Sequence, residues 1–218
     1  MTQEPDQIIA AQADGVRRDL AVDRDGTLQR TVQTVSQSYP TTPEDLWQAC
    51  TRPERLARWF APVSGELRLG GRYQVEGNAS GEVLACSPPR SFTVTWDLAG
   101  DTSRLTVRVE AENDRARLTI EHEHTGAAGS DFWAQFGPGA TGVGWDLALL
   151  GLSLHLVGGQ DRPASPDAFV QAEPARRFIR AASERWGEAS VRAGTPEEDA
   201  TAAAIRTTAF YLGEQPGG

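Results

Sequence analysis

Residues 139–158 read GATGVGWDLALLGLSLHLVG, and they predict a helix around which the rest of the domain must be built. Its apolar residues follow helical spacing along two stripes instead of one. The stripes are Trp145, Leu149, Leu152 and Leu156, and Val143, Leu147, Leu150, Leu154 and Val157. A helix that is apolar nearly all round must be covered on most sides, so we expect a sheet to grip it. The glycines at 158 and 159 are expected to end it.

The sequence before this helix indicates a sheet. Between Leu67 and His124, short stretches rich in β-branched and aromatic residues are separated by turn signals such as Asn113-Asp114. This pattern predicts six antiparallel strands joined by hairpins. In the last three strands apolar and charged residues alternate, which is typical of a sheet with one buried face. Residues 27–39 predict a first strand, expected to be exposed because its apolar residues are sparse.

Two short helices are predicted between the first strand and the rest of the sheet. Thr42 and Pro43 carry the signals of a helix start, and Thr51 to Glu54 has capping-box spacing. The predicted order is strand, two short helices, six strands and a long helix. It gives an α+β domain in which a seven-stranded, curved antiparallel sheet wraps on the long helix.

The chain is expected to have three parts. Residues 1–26 are polar and charged, which predicts a loosely attached N-terminal arm. Residues 27–159 form the main domain. Residues 160–218 comprise a proline-rich linker and two further helices, one near Pro174–Ala193 and one ending at Gly213. These helices have too little core to fold alone, so we expect them to pack on the main domain or on a second subunit.

Each C-terminal helix has one predicted buried face. The first face contains Phe178, Ala182, Trp186 and Ala189, and the second contains Ile205, Ala209 and Leu212. Both sets follow helical spacing.

Several short motifs, in this order and spacing, resemble one protein family. They are Pro43–Trp47, Thr51–Phe60, Gly70–Tyr73, Gly81–Val83, Pro88–Phe92 with Thr95 and Trp96, Leu118–His122, and Gly144 with Trp145. The resemblance covers roughly residues 28–158. It is to the START-like, or SRPBCC, family related to activators of the ninety-kilodalton heat-shock chaperone ATPase.

This resemblance implies a helix-grip fold with a hydrophobic cavity under the long helix. Members of the superfamily use that cavity for lipids, polyketides, hormones or other apolar small molecules, and no single reaction is common to them. Members that resemble the chaperone activator stimulate an ATPase. The expected partner is therefore a hydrophobic small molecule, with a protein partner or a homodimer through the C-terminal helices as the alternative.

Composition excludes several classes of function. The net charge is -9, and no basic cluster exceeds two adjacent arginines, so we expect no nucleic-acid binding. The N-terminus has no signal-peptide pattern and no apolar stretch is long enough to span a bilayer, so we expect a cytoplasmic protein without membrane insertion. Cys50 and Cys86 are expected to be buried free thiols. The motifs of common metal, nucleotide and nucleophile sites are absent, so we expect no metal or cofactor and no catalytic nucleophile.

The two histidines of the last strand are the sharpest local signal. His122 and His124 share the alternation of Leu118 and Ile120, so both imidazoles are expected to point toward the cavity. They could anchor a ligand, act in acid–base catalysis, or be satisfied buried histidines. A metal would need a third ligand from Asp146, Cys86 or His155. Asp146 either interacts with the helix dipole or forms an acid–base pair with His122.

Aromatic residues supply the remaining candidates. Trp133 and Phe136 fall in a glycine-rich loop that could act as a lid over the cavity. The full set of predicted ligand-binding residues is Tyr73, Trp96, His122, His124, Trp133, Phe136, Trp145, Asp146 and Leu149.

Three hypotheses follow for function. The first is a noncatalytic protein that binds an apolar or amphipathic small molecule. The second is a chaperone-activator-like or regulatory protein-interaction module. The third is a cyclase or dehydratase that uses His122 and Asp146.

Overall fold

Eight strands form one antiparallel sheet in this computed structural model, which describes residues 4–214. They are β1 (Arg17–Asp25), β2 (Leu28–Tyr39), β3 (Val63–Gly65), β4 (Arg72–Val75), β5 (Ser80–Ser87), β6 (Ser91–Leu98), β7 (Asp101–Glu112) and β8 (Arg115–Ala127). Their order in the sheet is β1-β2-β8-β7-β6-β5-β4-β3. The predicted α+β class is confirmed, and six antiparallel strands follow the two short helices as predicted. The first of the six, β3, lies before the stretch 67–124 in which all were expected, and β1 adds an eighth strand to the seven predicted.

Eight helices accompany the sheet in residues 4–214. They are α1 (Pro5–Gly15), α2 (Pro43–Thr51), α3 (Pro53–Trp59), α4 (Asp131–Phe136), α5 (Gly139–Leu156), α6 (Pro166–Gln171), α7 (Glu173–Arg192) and α8 (Glu197–Leu212). None of them is both long enough and apolar enough to cross a membrane.

The long helix α5 lies at the centre of the molecule and contacts β2, α1, α3, α7 and α8. Its two apolar stripes explain this position, because a helix with no polar face must be covered on most sides. Glycines permit the closest approaches. A Cβ on Gly142 would lie 2.2 Å from the Trp186 ring, and one on Gly151 would lie 2.6 Å from the Trp59 carbonyl oxygen. Small residues on α5 therefore let α7 and α3 pack directly against its backbone.

The prediction of a loosely attached N-terminal arm is wrong for residues 5–25. Ile8 and Ile9 of α1 are buried, and β1 pairs with β2 along its whole length. The apolar residues here are few because α1 buries one side only and β1 is an edge strand. Residues 1–3 of the predicted arm lie outside the described residues.

The predicted face of the first C-terminal helix is confirmed, since α7 buries Phe178, Ala182, Trp186 and Ala189. Within the chain, α7 contacts α1, α5 and β1, and α8 contacts α4, α5 and α7. A second subunit on these helices stays a prediction. Residues 215–218 of the predicted extension lie outside the described residues.

The second predicted face is wrong at Ile205, which is 59% exposed. The helix α8 instead packs through small residues such as Ala203 and Ala204, together with Ala209 and Leu212. Gly213 ends it in the left-handed region with φ 65°, as its position predicts.

The two cysteines differ in environment. Cys50 is buried, as predicted, but Cys86 is exposed, so that prediction is wrong. Its strand β5 has a register shift between Val83 and Ala85. A bulge of this kind interrupts the alternation from which burial was inferred.

Candidate functional site

An apolar pocket lies between the sheet and α5. Its volume is about 340 Å³, and side chains of α2, α3, the inner sheet face and α5 line it. We call it the inner pocket, defined by Trp47, Leu56, Tyr73, Val94, Val107 and Ala148. Both cysteines also line it, and burial raises the pKa of the Cys50 thiol to about 12. Cys50 is therefore protonated at neutral pH and acts as apolar wall.

A second pocket lies at the N-terminal end of α5 and has a volume of about 540 Å³. Polar side chains of β2, β7 and β8 and aromatic side chains of α4 and α8 line it. We call it the histidine pocket, defined by Gln33, Ser103, His122, His124, Trp133 and Tyr211. Both volumes fall in the range of roughly 300–1,000 Å³ that small-molecule sites occupy.

The two pockets adjoin each other along three aromatic residues, Phe60, Trp96 and Trp145, which line both. The ring centroids of Trp96 and Trp145 are 5.2 Å apart with the planes at 58°. This tilted arrangement is a favourable aromatic contact. The indole pair thus forms a border with apolar surface on one side and mixed polar surface on the other.

His122 lines the histidine pocket and is hydrogen-bonded to Trp145 of that border. The Trp145 Nε1–H donates to His122 Nδ1 at 3.0 Å, so Nδ1 is an acceptor and the neutral ring carries its proton on Nε2. Nε2 donates to Ser103 Oγ at 2.6 Å, and Ser103 Oγ donates to the Trp96 carbonyl oxygen at 3.1 Å. Of the roles predicted for His122, this geometry matches the satisfied buried histidine.

Burial, with a smaller effect of the nearby His124, lowers the pKa of His122 to about 4. The ring is therefore neutral at physiological pH. Because both nitrogens are engaged, His122 would have to break a hydrogen bond before accepting a proton. It is a positioning residue for Trp145 in this arrangement.

His124 lines the same pocket at its outer part. Its Nε2 lies 2.7 Å from Asp101 Oδ2, and both side chains are partly exposed. The prediction that both histidines share the pocket face agrees with their positions. Within residues 4–214, no group of three or more His, Cys, Asp or Glu side chains could hold a metal ion.

Asp146 is not brought to His122. Its carboxylate accepts two hydrogen bonds from Arg18, at 2.8 and 3.0 Å, and one from Trp186 Nε1 at 2.8 Å. The Asp146 side chain is 0% exposed and that of Arg18 is 4% exposed. Burial raises the pKa of Asp146, and the ion pair and the indole oppose that rise. The alternative in which Asp146 forms an acid–base pair with His122 of β8 is therefore wrong. On α5 it is the neighbouring Trp145 that points to the sheet and binds His122, whereas Asp146 points to Trp186 of α7.

The other predicted residues divide into two groups. Tyr73 lines the inner pocket and its hydroxyl donates to the Thr95 carbonyl oxygen at 2.6 Å. Trp133 lines the histidine pocket. Leu149 is fully buried and Phe136 is buried between the rings of Phe132 and Phe210, and neither lines the inner pocket or the histidine pocket.

The predicted glycine-rich loop is a helix where its aromatics lie. Ser130 caps α4 by accepting a hydrogen bond from the Trp133 backbone N–H. Ser130 followed by Asp131 is an ordinary helix-start signal. The glycines around this segment nevertheless favour a loop, which is why the sequence predicts one.

Sequence reasoning missed three polar residues of the histidine pocket, Gln29, Thr31 and Gln33. They lie at every second position of β2 and are buried. This strand was expected to be exposed because it is polar. The side-chain alternation along the strand could have indicated their burial, because residues 29, 31 and 33 lie on the same face as the buried Val35.

The model of the family described as activator of Hsp90 ATPase homolog 1-like protein matches residues 40–155. Comparison with curated proteins found no match.

CalU16 from Micromonospora echinospora is similar in two solved structures. Its crystal structure is 29% identical with a TM-score of 0.61, covering 80% of this chain and 97% of that chain. Its solution NMR structure is 31% identical with a TM-score of 0.65, covering 82% and 97%. The likeness therefore extends over more of the chain than the family model matches.

A conserved protein of unknown function from Enterococcus faecalis, EF2215, is 14% identical with a TM-score of 0.58. It covers 85% of this chain and 98% of that chain. At this identity the likeness concerns the fold alone.

Proposed function

The chain belongs to the family of activator of Hsp90 ATPase homolog 1-like proteins, and we propose that it binds an apolar or amphipathic small molecule between its sheet and α5. The family and fold support a START-like ligand-binding or regulatory protein. The inner pocket is the observation that favours ligand binding, because its walls are aliphatic and aromatic side chains from four parts of the fold.

The proposed role is noncatalytic. Both side chains considered for acid–base catalysis already have hydrogen-bond partners, His122 with Trp145 and Ser103, and Asp146 with Arg18. A general acid or base needs a free site toward the substrate. These side chains therefore support positioning and stability more than proton transfer.

Filling the inner pocket tests this proposal. Ala148 on α5 is half-buried and lines the pocket, so Ala148→Trp should occupy its volume. We expect titration with the neutral fluorescent probe N-phenyl-1-naphthylamine to show binding to the wild type and at least about tenfold weaker binding to this variant.

The matched control is Ala202→Trp, on the half-buried side of α8 and outside both pockets. It should keep wild-type affinity, and circular dichroism should show all three proteins folded. Equal binding by both variants, or no binding by the folded wild type, would contradict the proposal and favour the protein-interaction hypothesis.

A further inference from the structure

The inner face of β2 carries unused hydrogen-bonding groups into the histidine pocket. Gln29, Thr31 and Gln33 are only 4%, 4% and 5% exposed. Gln33 Nε2 donates to the Pro138 carbonyl oxygen at 2.7 Å, and Gln29 Oε1 accepts from Arg24 Nε at 3.0 Å. Gln33 Oε1, Gln29 Nε2 and the Thr31 hydroxyl have no hydrogen-bond partner among residues 4–214.

These three groups are not sealed inside the protein. Among the described residues, Ser183 Oγ is the only fully enclosed side-chain polar atom without a partner. The unused atoms of β2 therefore face the open space of the pocket. Three neutral hydrogen-bonding groups at alternate positions of one strand, without a partner in the described part of the chain and open to a pocket, form a surface that can bind the polar atoms of a ligand.

The charges around the pocket exclude most ionic ligands. No arginine lines it, and the chain has no lysine, so an anionic group would find no guanidinium or ammonium partner. Asp101 is paired with His124, and His122 is engaged at both nitrogens. The free groups are neutral amide and hydroxyl groups, which pair with ligand hydroxyls.

Aromatic side chains from two helices also line the histidine pocket. They are Phe132 and Trp133 of α4 and Tyr211 of α8, whose hydroxyl donates to the Ala140 carbonyl oxygen at 2.6 Å. A lining that combines aromatic rings with neutral hydrogen-bonding groups suits a ligand group with C–H faces and hydroxyl edges. A sugar ring has this chemistry.

We infer that the histidine pocket binds a neutral, hydroxyl-rich ring, so that the ligand is an apolar molecule bearing a sugar-like group. This inference rests on the proposed function, since the apolar part would occupy the inner pocket and the linkage would cross the border of Phe60, Trp96 and Trp145. The polar pocket then supplies specificity, and the inner pocket supplies apolar burial.

Three probes with one apolar part distinguish the possibilities: 2-naphthol, 2-naphthyl β-D-glucopyranoside and 2-naphthyl sulfate. Isothermal titration calorimetry of the full chain should give the glucoside at least about tenfold higher affinity than naphthol, and the sulfate the lowest affinity. Thr31→Val keeps the shape and β-branching but removes the free hydroxyl. It should weaken the glucoside several-fold and leave naphthol unchanged.

Thr34→Val is the matched control, because Thr34 lies on the opposite face of the same strand. It should bind all three probes as the wild type does. The inference would be overturned if naphthol and the glucoside bound the wild type with equal affinity. If Ala148→Trp then abolished the binding of both probes, the proposed function would still be supported. Preference for the sulfate, or a glucoside preference unaffected by Thr31→Val, would also overturn the inference. Absence of binding by all three probes would overturn both proposals.

Discussion

At the residue scale, the burial of His122 makes the free energy of unfolding depend on pH. Its pKa is about 4 in the folded protein against 6.5 in the unfolded chain. The unfolded state therefore binds more protons between these values, so the contribution is complete above pH 6.5 and is lost as pH falls toward 4. A shift of this size corresponds to about 3 kcal/mol.

We accordingly expect the free energy of unfolding in urea to fall between pH 7 and pH 4.5, and to fall less in His122→Gln. The pKa of His155 is also lowered by burial, so part of the pH dependence should remain in this variant. His124→Gln is the control, since its ring is partly exposed beside Asp101. A wild-type pH dependence in His122→Gln would show that the imidazole does not titrate as the structure indicates.

The sequence could place His122 and His124 on the pocket face, because alternation along a strand is a local property. It could not supply their partners. Ser103, Trp145 and Asp101 come from other elements, and their contacts depend on strand register and on the rotation of α5. The same limit explains the wrong prediction for Asp146, whose helical position was right and whose partner was not.

At the scale of elements, the Arg18–Asp146–Trp186 cluster joins β1, α5 and α7. Removing one partner of a buried ion pair leaves an uncompensated charge. We expect Asp146→Leu to lower the free energy of unfolding by about 3–5 kcal/mol, measured by urea denaturation at pH 7.

The double variant Arg18→Met/Asp146→Leu separates charge from packing. Because it removes both charges, it should be more stable than Asp146→Leu alone. If the loss of unfolding free energy in the double variant equalled the sum of the losses in Arg18→Met and Asp146→Leu, the two charges would not stabilise each other as an ion pair.

The buried face of a helix could be predicted where that face carries large apolar residues, and it was predicted wrongly where the packing uses small residues. The α7 face could be derived from Phe178 and Trp186 at helical spacing. The α8 face could not, because alanines carry little hydrophobic signal and Ile205, the largest aliphatic residue near its middle, is exposed. Likewise, Gly142 gives no indication that the Trp186 ring will lie over it.

At the scale of the whole molecule, the C-terminal helices complete the core of the main domain. Phe178, Ile179 and Trp186 of α7 are each at most 3% exposed, and α7 contacts α1, α5 and β1. Burying three side chains of this size contributes roughly 5–9 kcal/mol, which is comparable with the whole stability of a typical domain. The first 159 residues should therefore not fold independently.

Deleting residues 165–218 tests this directly. We expect the remaining chain to lose cooperative unfolding and to aggregate in size-exclusion chromatography, because the outer side of α5 becomes exposed. Co-expression of residues 165–218 as a separate chain should restore a folded complex, since the helices pack through contacts that need no covalent link. A folded, monomeric product of the deletion from a dimeric parent would instead mean that α7 and α8 serve a second subunit, and it would favour the interaction-module hypothesis over a ligand pocket.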